Sequence, residues 1–317
     1  TRNSFCLYVC PLGAFNFLYS TVSPLHITAR NMQTCRDCKG HECINGSATQ
    51  QGCQLELFVP TMRGNLDCTF CLDCVKACPY DNVALAARPP GDELFRQNWP
   101  HRLDLALVSV LAASLATLNA FGMTPPVYRL ELALAQWLQT SNEAFILGLI
   151  YLVSVVLGPI LLVYVAAWLS QRLAANGVSL NRLVIRYAYS FVPLGFATWF
   201  GHYLFHFLTG AFTIVPVMQT FFTRTLGWPL LGSPNWELAL RFVPTVETIQ
   251  LLQTLVTYLG LLAALALTLH AARKAQSSRT RLLLEALPWL VLVVGFTFAS
   301  GATFMLPMEM RGSALGG

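Results

Sequence analysis

Beyond residue 100 the chain alternates between long apolar runs and short polar connections, and five of the runs are long enough to cross a bilayer. They fall at 105–123, 144–169, 187–208, 248–271 and 286–308. A transmembrane helix needs about 20 mostly apolar residues, because each residue advances ~1.5 Å through a hydrocarbon layer of ~30 Å. Core helices of soluble proteins are apolar too, but five in series at this length with so few charges point to a membrane. Two further segments, 127–139 and 212–226, are predicted to rest on the membrane interface outside the spans, with Trp137, Trp228 and Trp236 as anchors. Pro159, Pro193 and Pro288 lie inside the runs and predict kinks. Upstream, residues 86–100 (AARPPGDELFRQNWP) read as a polar, proline-rich linker. The predicted fold is therefore an α-helical polytopic membrane protein of about five transmembrane helices at 100–317. It is preceded by a cysteine-rich domain at 31–95 and a membrane-peripheral segment at 1–30.

Composition agrees, since 55% of the residues are hydrophobic and 11% charged, where soluble domains carry about 25% charged residues. The net charge of +5 matters less than its placement. With the cysteine-rich domain inside, the loops near 170–186 and 272–281 are also inside and hold Arg172, Arg182, Arg186, Arg273, Lys274, Arg279 and Arg281. Together with the N-terminal region this puts sixteen of the 20 basic residues inside, leaving Arg129, Arg224, Arg241 and Arg311 outside. That asymmetry follows the positive-inside rule and predicts a cytoplasmic cysteine domain and an outward C-terminus. No basic tract or aromatic array points to nucleic acid, and no nucleotide-binding glycine motif or hydrolase nucleophile motif is present.

The candidate chemistry lies in the ten cysteines, all of which precede residue 79. Cys68-x2-Cys71-x2-Cys74-x3-Cys78-Pro79 has the spacing of bacterial ferredoxins, whose first three thiolates hold one [4Fe-4S] cluster while the fourth reaches a second. A zinc site is the alternative for paired C-x2-C motifs, but the x2, x2, x3 run ending in Cys-Pro is not its usual form. Cys35-x2-Cys38-x4-Cys43-x9-Cys53 is a looser version of the same run, with Gly46-Ser47-Ala48 suited to a loop. If ligands are exchanged as in two-cluster ferredoxins, Cys35, Cys38, Cys43 and Cys78 hold one cluster, and Cys53, Cys68, Cys71 and Cys74 hold the other. The irregular spacing at Cys43 and Cys53 makes the fourth ligand the open point. Cys6 and Cys10 remain over. They are read as a redox or metal-binding dithiol, as a replacement for Cys53, or as structural thiols.

Within the spans the signal is His202 and His206, four residues apart and so on one helix face. Ionisable groups at membrane depth are costly and tend to face a cavity, a partner or a cofactor. His202 lies about 24 Å outward of Arg186 at ~1.5 Å per residue, which puts both imidazoles in the outer half. Three readings stay open: quinone hydrogen bonding and proton transfer, aided by Glu247 at the outer start of the next helix; a metal held by both histidines and a third group; and packing. Haem held by this chain alone is disfavoured, because two histidines on one helix cannot take opposite axial positions and His270 falls roughly 20 Å away in depth. Glu285 is read as an interfacial ion pair with Arg279 and Arg281.

The segment F-C-x3-C-P-x-G at 5–13, beside a two-cluster cysteine run, resembles the NapH/NosR-like membrane-bound polyferredoxins of nitrate and nitrous-oxide respiration, and is similar to the CcoG-like assembly ferredoxins. The resemblance covers roughly the first 90 residues. It implies a ferredoxin-like fold for the cysteine domain, a location in the bacterial cytoplasmic membrane, and a transmembrane helix upstream of Thr1. It also implies single-electron relay between the quinol pool and another subunit of a respiratory complex, as part of a quinol-linked oxidoreductase. Two other expectations are a copper-reducing assembly factor acting through Cys6 and Cys10, and a structural subunit that wires a larger redox complex.

Overall fold

The computed structural model describes residues 5, 9–96, 101–228, 230–276 and 278–308. Helix α1 (Pro11–Tyr19) starts on a proline that needs no intrahelical partner for its missing N–H. Strand β1 (Leu25–Ala29) then pairs antiparallel with β2 (Val83–Ala87), in register from Leu25 with Ala87 to Ala29 with Val83. Between the strands lie short helices α2 (Met32–Asp37), α3 (Glu42–Asn45) and α4 (Asp73–Ala77), and α5 (Asp92–Arg96) closes this cysteine unit.

Five helical runs are long and apolar enough to cross a membrane: Leu103–Phe121, Glu143–Leu173, Leu180–Thr225, Val246–Ala275 and Arg279–Phe304. They overlap all five sequence-predicted spans, of which 105–123 and 286–308 run past the C-terminal ends of their helices, and the protein is read as multi-pass on the length and composition of the helices. In chain order we call them α6 (Leu103–Phe121), then after α7 (Pro125–Leu138) α8 (Glu143–Leu173), and later α13 (Val246–Ala275) and α14 (Arg279–Phe304). The third run is α9 (Leu180–Tyr187), α10 (Phe191–Gly210) and α11 (Ile214–Thr220), joined by single 3-10 turns and ending in a π turn at Phe221–Thr225. The 212–226 segment is thus a helical extension of the third run. It packs on α12 (Trp236–Arg241), with Phe212 and Phe242 ring centroids 4.9 Å apart and Gln219 bonded to the Leu231 carbonyl at 2.9 Å.

The prolines act in different ways. In α8 the chain widens to a π turn over Leu152–Leu157 just before Pro159, where Gly158 N–H reaches Val153 O, so the ring of Pro159 is relieved of its clash with the preceding turn. Pro193 lies in the first turn of α10, and Pro288 is buried inside α14. That π turn adjoins an apolar groove of about 1020 Å³ between α6, α8 and α14, whose wall includes Ser154, Leu162, Pro288 and Gly295.

Lipid tails are as apolar as leucine, so burial alone does not hold these helices together; close packing at small residues does. On α10 the bulky Phe196, Phe200, Tyr203 and Phe207 are exposed, whereas Ala197, Thr198 and Gly201 turn inward. A Cβ on Gly260 of α13 would stand 2.5 Å from Ala197 Cβ and 3.1 Å from Pro193 O, so α10 and α13 meet there backbone to backbone. Gly260→Leu is expected to force these helices apart and destabilise the bundle by about 1–3 kcal/mol. Gly148→Leu in α8, where a Cβ would meet nothing within 4 Å, should leave the unfolding temperature in detergent nearly unchanged.

Helix α1 packs one face on the bundle, where Leu18 and Tyr19 belong to the same buried cluster as Ala113, Leu194 and Ala264 and Phe15 meets Trp199 edge-on at 5.2 Å, while Leu12 stays exposed. One sequence expectation is corrected here. Glu285 is not an interfacial pair with Arg279 and Arg281. It is fully buried, and its carboxylate accepts from Arg186 (2.5 Å), Asn176 (2.6 Å), Gln276 (2.7 Å) and Tyr187 (2.8 Å). The next-door arginines sit on α14's first turn, whereas Arg186 arrives from α9, 99 residues away in sequence.

The cysteine unit docks at the end of the bundle that carries these basic loops. Lys274 reaches the Phe95 carbonyl at 3.5 Å, His270 meets the Phe95 ring at 5.7 Å, and Tyr189 OH donates to Arg102 O at 3.3 Å.

Candidate functional site: two four-cysteine cavities

Cys35, Cys38, Cys43 and Cys78 line one narrow cavity, and Cys53, Cys68, Cys71 and Cys74 line a second. Local backbone explains how eight thiols from two sequence runs sort this way. Gly46, at φ +83°, turns the inserted loop, and Cys53 N–H closes it on Cys43 O at 3.0 Å. The two residues are backbone neighbours, yet their thiols enter different cavities. Helix α4 does the same at its other end, with Cys74 inside it facing the second cavity and Cys78 as its C-terminal cap facing the first. The cavities are therefore separated by little more than one peptide hydrogen bond and one helical turn.

Backbone strain gathers around the thiols. Six non-glycine residues of the unit hold positive φ: His41, Glu56, Asp67, Phe70, Leu72 and Asp81. Each costs on the order of 1 kcal/mol, and such costs persist where the surrounding structure requires the geometry. Here they bend the chain between successive cysteines so that Cys68, Cys71 and Cys74 converge.

Several polar groups reach the sulfurs. Asn82 donates its side-chain N–H to Cys35 Sγ at 3.1 Å and its backbone N–H to Cys78 Sγ at 3.3 Å, while Asn31 holds the amide from both sides at 2.8 Å. Leu57 N–H points at Cys53 Sγ at 3.4 Å, and Cys38 donates its thiol to Glu42 Oε2 at 3.6 Å. Burial pushes Cys43, Cys68 and Cys74 upward, Cys74 to about 12, and the neighbouring thiols of the same cavity add to it. Deprotonating four thiols side by side is therefore unfavourable without a cation among them.

This has a measurable consequence in chelator-stripped protein. Cys74 keeps its proton in the folded chain up to about pH 12, while an unfolded thiol loses it near 9.0. The folded state then binds the extra proton, so stability is unaffected below about pH 9 and falls between about 9 and 12. Denaturant melts at about pH 8 and about pH 11 should show this loss, and Cys74→Ser should reduce it.

A buried ion pair within the cysteine unit braces the loop that leads into Cys68. Glu93 stands 2.9 Å from Arg88, both almost fully buried, and accepts from Asn65 N–H at 2.7 Å. A Cβ on Gly64 would collide with that carboxylate at 2.0 Å, which is why glycine stands there. Leu66, two residues before Cys68, packs on the core of the bundle. Leu57 and Met62 are shared between the second cysteine cavity and a neighbouring cavity of about 420 Å³ that also borders Leu66, Asp67 and Glu93.

The remaining candidates lie apart from the thiols. His202 is buried on α10, beside Gly201, whose carbonyl accepts from Gln253 of α13 at 3.1 Å. Its Nε2 lies 3.2 Å from that of His206, with the rings edge to face. Among the described residues no group of three His, Cys, Asp or Glu stands close enough to hold a single metal ion. Glu247 is fully exposed on the first turn of α13, its carboxylate bonded by Thr245 and its own backbone. Cys10 is the half-buried N-cap of α1, and Cys6 lies outside the described residues. Sequence reasoning missed Asn82, Glu93 and Gln253. An asparagine four residues after Cys78 carries no pattern of its own; its role comes from the strand pairing that brings residues 31 and 82 together.

No family model matches the chain, and no solved structure does. It is similar in part to the "Putative electron transport protein YccM" of Escherichia coli (strain K12), 33% identical over 78 residues, which is 25% of this chain. The match takes in 20% of that protein's length.

Proposed function

We propose that this chain is a membrane-bound electron-transfer protein whose cysteine unit is ferredoxin-like and holds two [4Fe-4S] clusters. Cys35, Cys38, Cys43 and Cys78 would hold one, and Cys53, Cys68, Cys71 and Cys74 the other. The observation that carries this reading is the sorting of eight thiols into two cavities of four. A single zinc ion needs its thiolates drawn to one point, whereas a cubane takes one at each of four iron corners. When bound, such clusters supply one-electron transfer. The chain's own residues do the rest: Asn82 and the Leu57 N–H direct hydrogen bonds at the sulfurs, which raises the potential. Glu93 braces the loop leading into Cys68, and Leu66 in that loop packs on the large buried core.

The partial likeness to a protein named for electron transport agrees with this role. The donor proposed is a quinol, approaching the wall shared by Leu57 and Met62, and the acceptor is another subunit of a redox complex. The basic loops at the docking end support the reading of a cytoplasmic cysteine unit at the inner membrane. The histidine pair is about 24 Å along α10 from Arg186 and so stands far from the thiols.

The test is iron and acid-labile sulfide analysis of the full chain, with low-temperature electron paramagnetic resonance after a quinol analogue and then dithionite. Zinc in place of iron would overturn the cluster reading. Signals that appear only with dithionite would overturn quinol as the donor and leave the clusters standing.

A further inference from the structure

Where α9 and the end of α13 meet beside the cysteine unit, the surface opens into a cleft of about 520 Å³. Its wall brings together Arg182 and Arg186 from α9, Lys274 from α13 and His101 from the connection ahead of α6, over a floor that includes Ile185 and Ala271. Among the described residues no aspartate or glutamate lines it. The arrangement follows from the sequence: Arg182 and Arg186 are one helical turn apart and therefore on one face, and Lys274 lies in the last turn of α13.

Three cations around one cleft repel each other, and within this protein they are poorly neutralised. Arg186 is paired with Glu285, but that carboxylate is fully buried behind the cleft and shared among four donors, while the arginine side chain stays 27% exposed. Arg182 makes no hydrogen bond or ion pair among the described residues. Lys274 has the Phe95 carbonyl at 3.5 Å, the outer limit of a hydrogen bond. Such a cleft is electrostatically completed by an anion that accepts several N–H bonds at once, and a phosphate does this.

The position of the cleft narrows the choice. It lies at the ends of two membrane-length helices, with an apolar floor, where phospholipid headgroups meet protein; basic pockets between transmembrane helices take anionic headgroups for this reason. We propose that the cleft binds the phosphate of an anionic phospholipid, and that this lipid helps hold the connection between the cysteine unit and the bundle. The inference does not depend on the clusters.

The experiment uses the full chain in nanodiscs of phosphatidylcholine, with or without phosphatidylglycerol. Lipid retention is read by native mass spectrometry and stability by thermal unfolding. Phosphatidylglycerol should be retained selectively and should raise the unfolding temperature. Arg182→Gln with Lys274→Gln should lower retention roughly tenfold or more, and Lys274→Arg should preserve it. Arg186 is left intact because it carries the buried pair. Arg224→Gln with Arg241→Gln, at the opposite end of the bundle, should change nothing. Equal retention in the wild type and the Arg182/Lys274 variant would overturn the site, as would an equal loss in the Arg224/Arg241 variant. A stabilisation by inorganic phosphate in pure phosphatidylcholine discs, lost with Arg182 and Lys274, would assign the cleft to a free phosphate and overturn the lipid.

Discussion

On the proposed two-cluster partition, changing Cys35 and Cys78 to serine together is expected to remove about half of the iron and leave one cluster signal, whereas changing Cys74 and Cys78 together is expected to remove nearly all of it. The contrast runs against sequence distance. Cys74 and Cys78 are four residues apart, while Cys35 and Cys78 are 43 apart, and yet it is the distant pair that shares a cavity. Asn82 bonds both sulfurs of the distant pair. Single changes at Cys35 or Cys78 should each give the same loss as the double, because a cluster that has already lost one thiolate loses little more with the second. Iron and sulfide per chain, with spin quantitation after dithionite, measures all four variants. Additive losses for Cys35 and Cys78 would refute the partition.

The second large effect is expected at Glu285. Glu285→Ala should destabilise the bundle by about 3–5 kcal/mol, because it leaves the Arg186 charge without its buried partner and orphans donors from Asn176, Tyr187 and Gln276. Glu285→Gln keeps the shape and one acceptor but removes the charge, and should fall between the wild type and alanine. Replacing both ends, Glu285→Leu with Arg186→Met, should recover part of the loss, since removing a buried pair is less costly than breaking it. Thermal unfolding in detergent across this double-mutant cycle reads the coupling directly. If Arg279 and Arg281 were the partners after all, Arg186→Met alone would be nearly silent.

How much of this was legible beforehand can be followed residue by residue. The five spans are visible in the sequence because a bilayer imposes one length and one composition on anything that crosses it. That the 212–226 segment continues the third helical run was not visible, because its apolar residues suit an interfacial segment and an extended helix equally well; its contact with α12 comes from the chain turning back at 230–235. The aromatic stripe of α1 gave no sign of whether lipid or protein would cover it.

Spacing along the chain was enough to establish the membrane-length helices and to single out the two cysteine runs, because bilayer thickness and the reach of a short cysteine loop are local constraints that sequence distance expresses directly. Tertiary structure alone decided that Arg186 rather than its neighbours meets Glu285, that Asn82 serves Cys35 and Cys78, and that Arg182 and Lys274 open onto one cleft. Those contacts join residues tens of positions apart, and their partners are chosen by which helix faces pack together, a geometry that no spacing within one segment encodes.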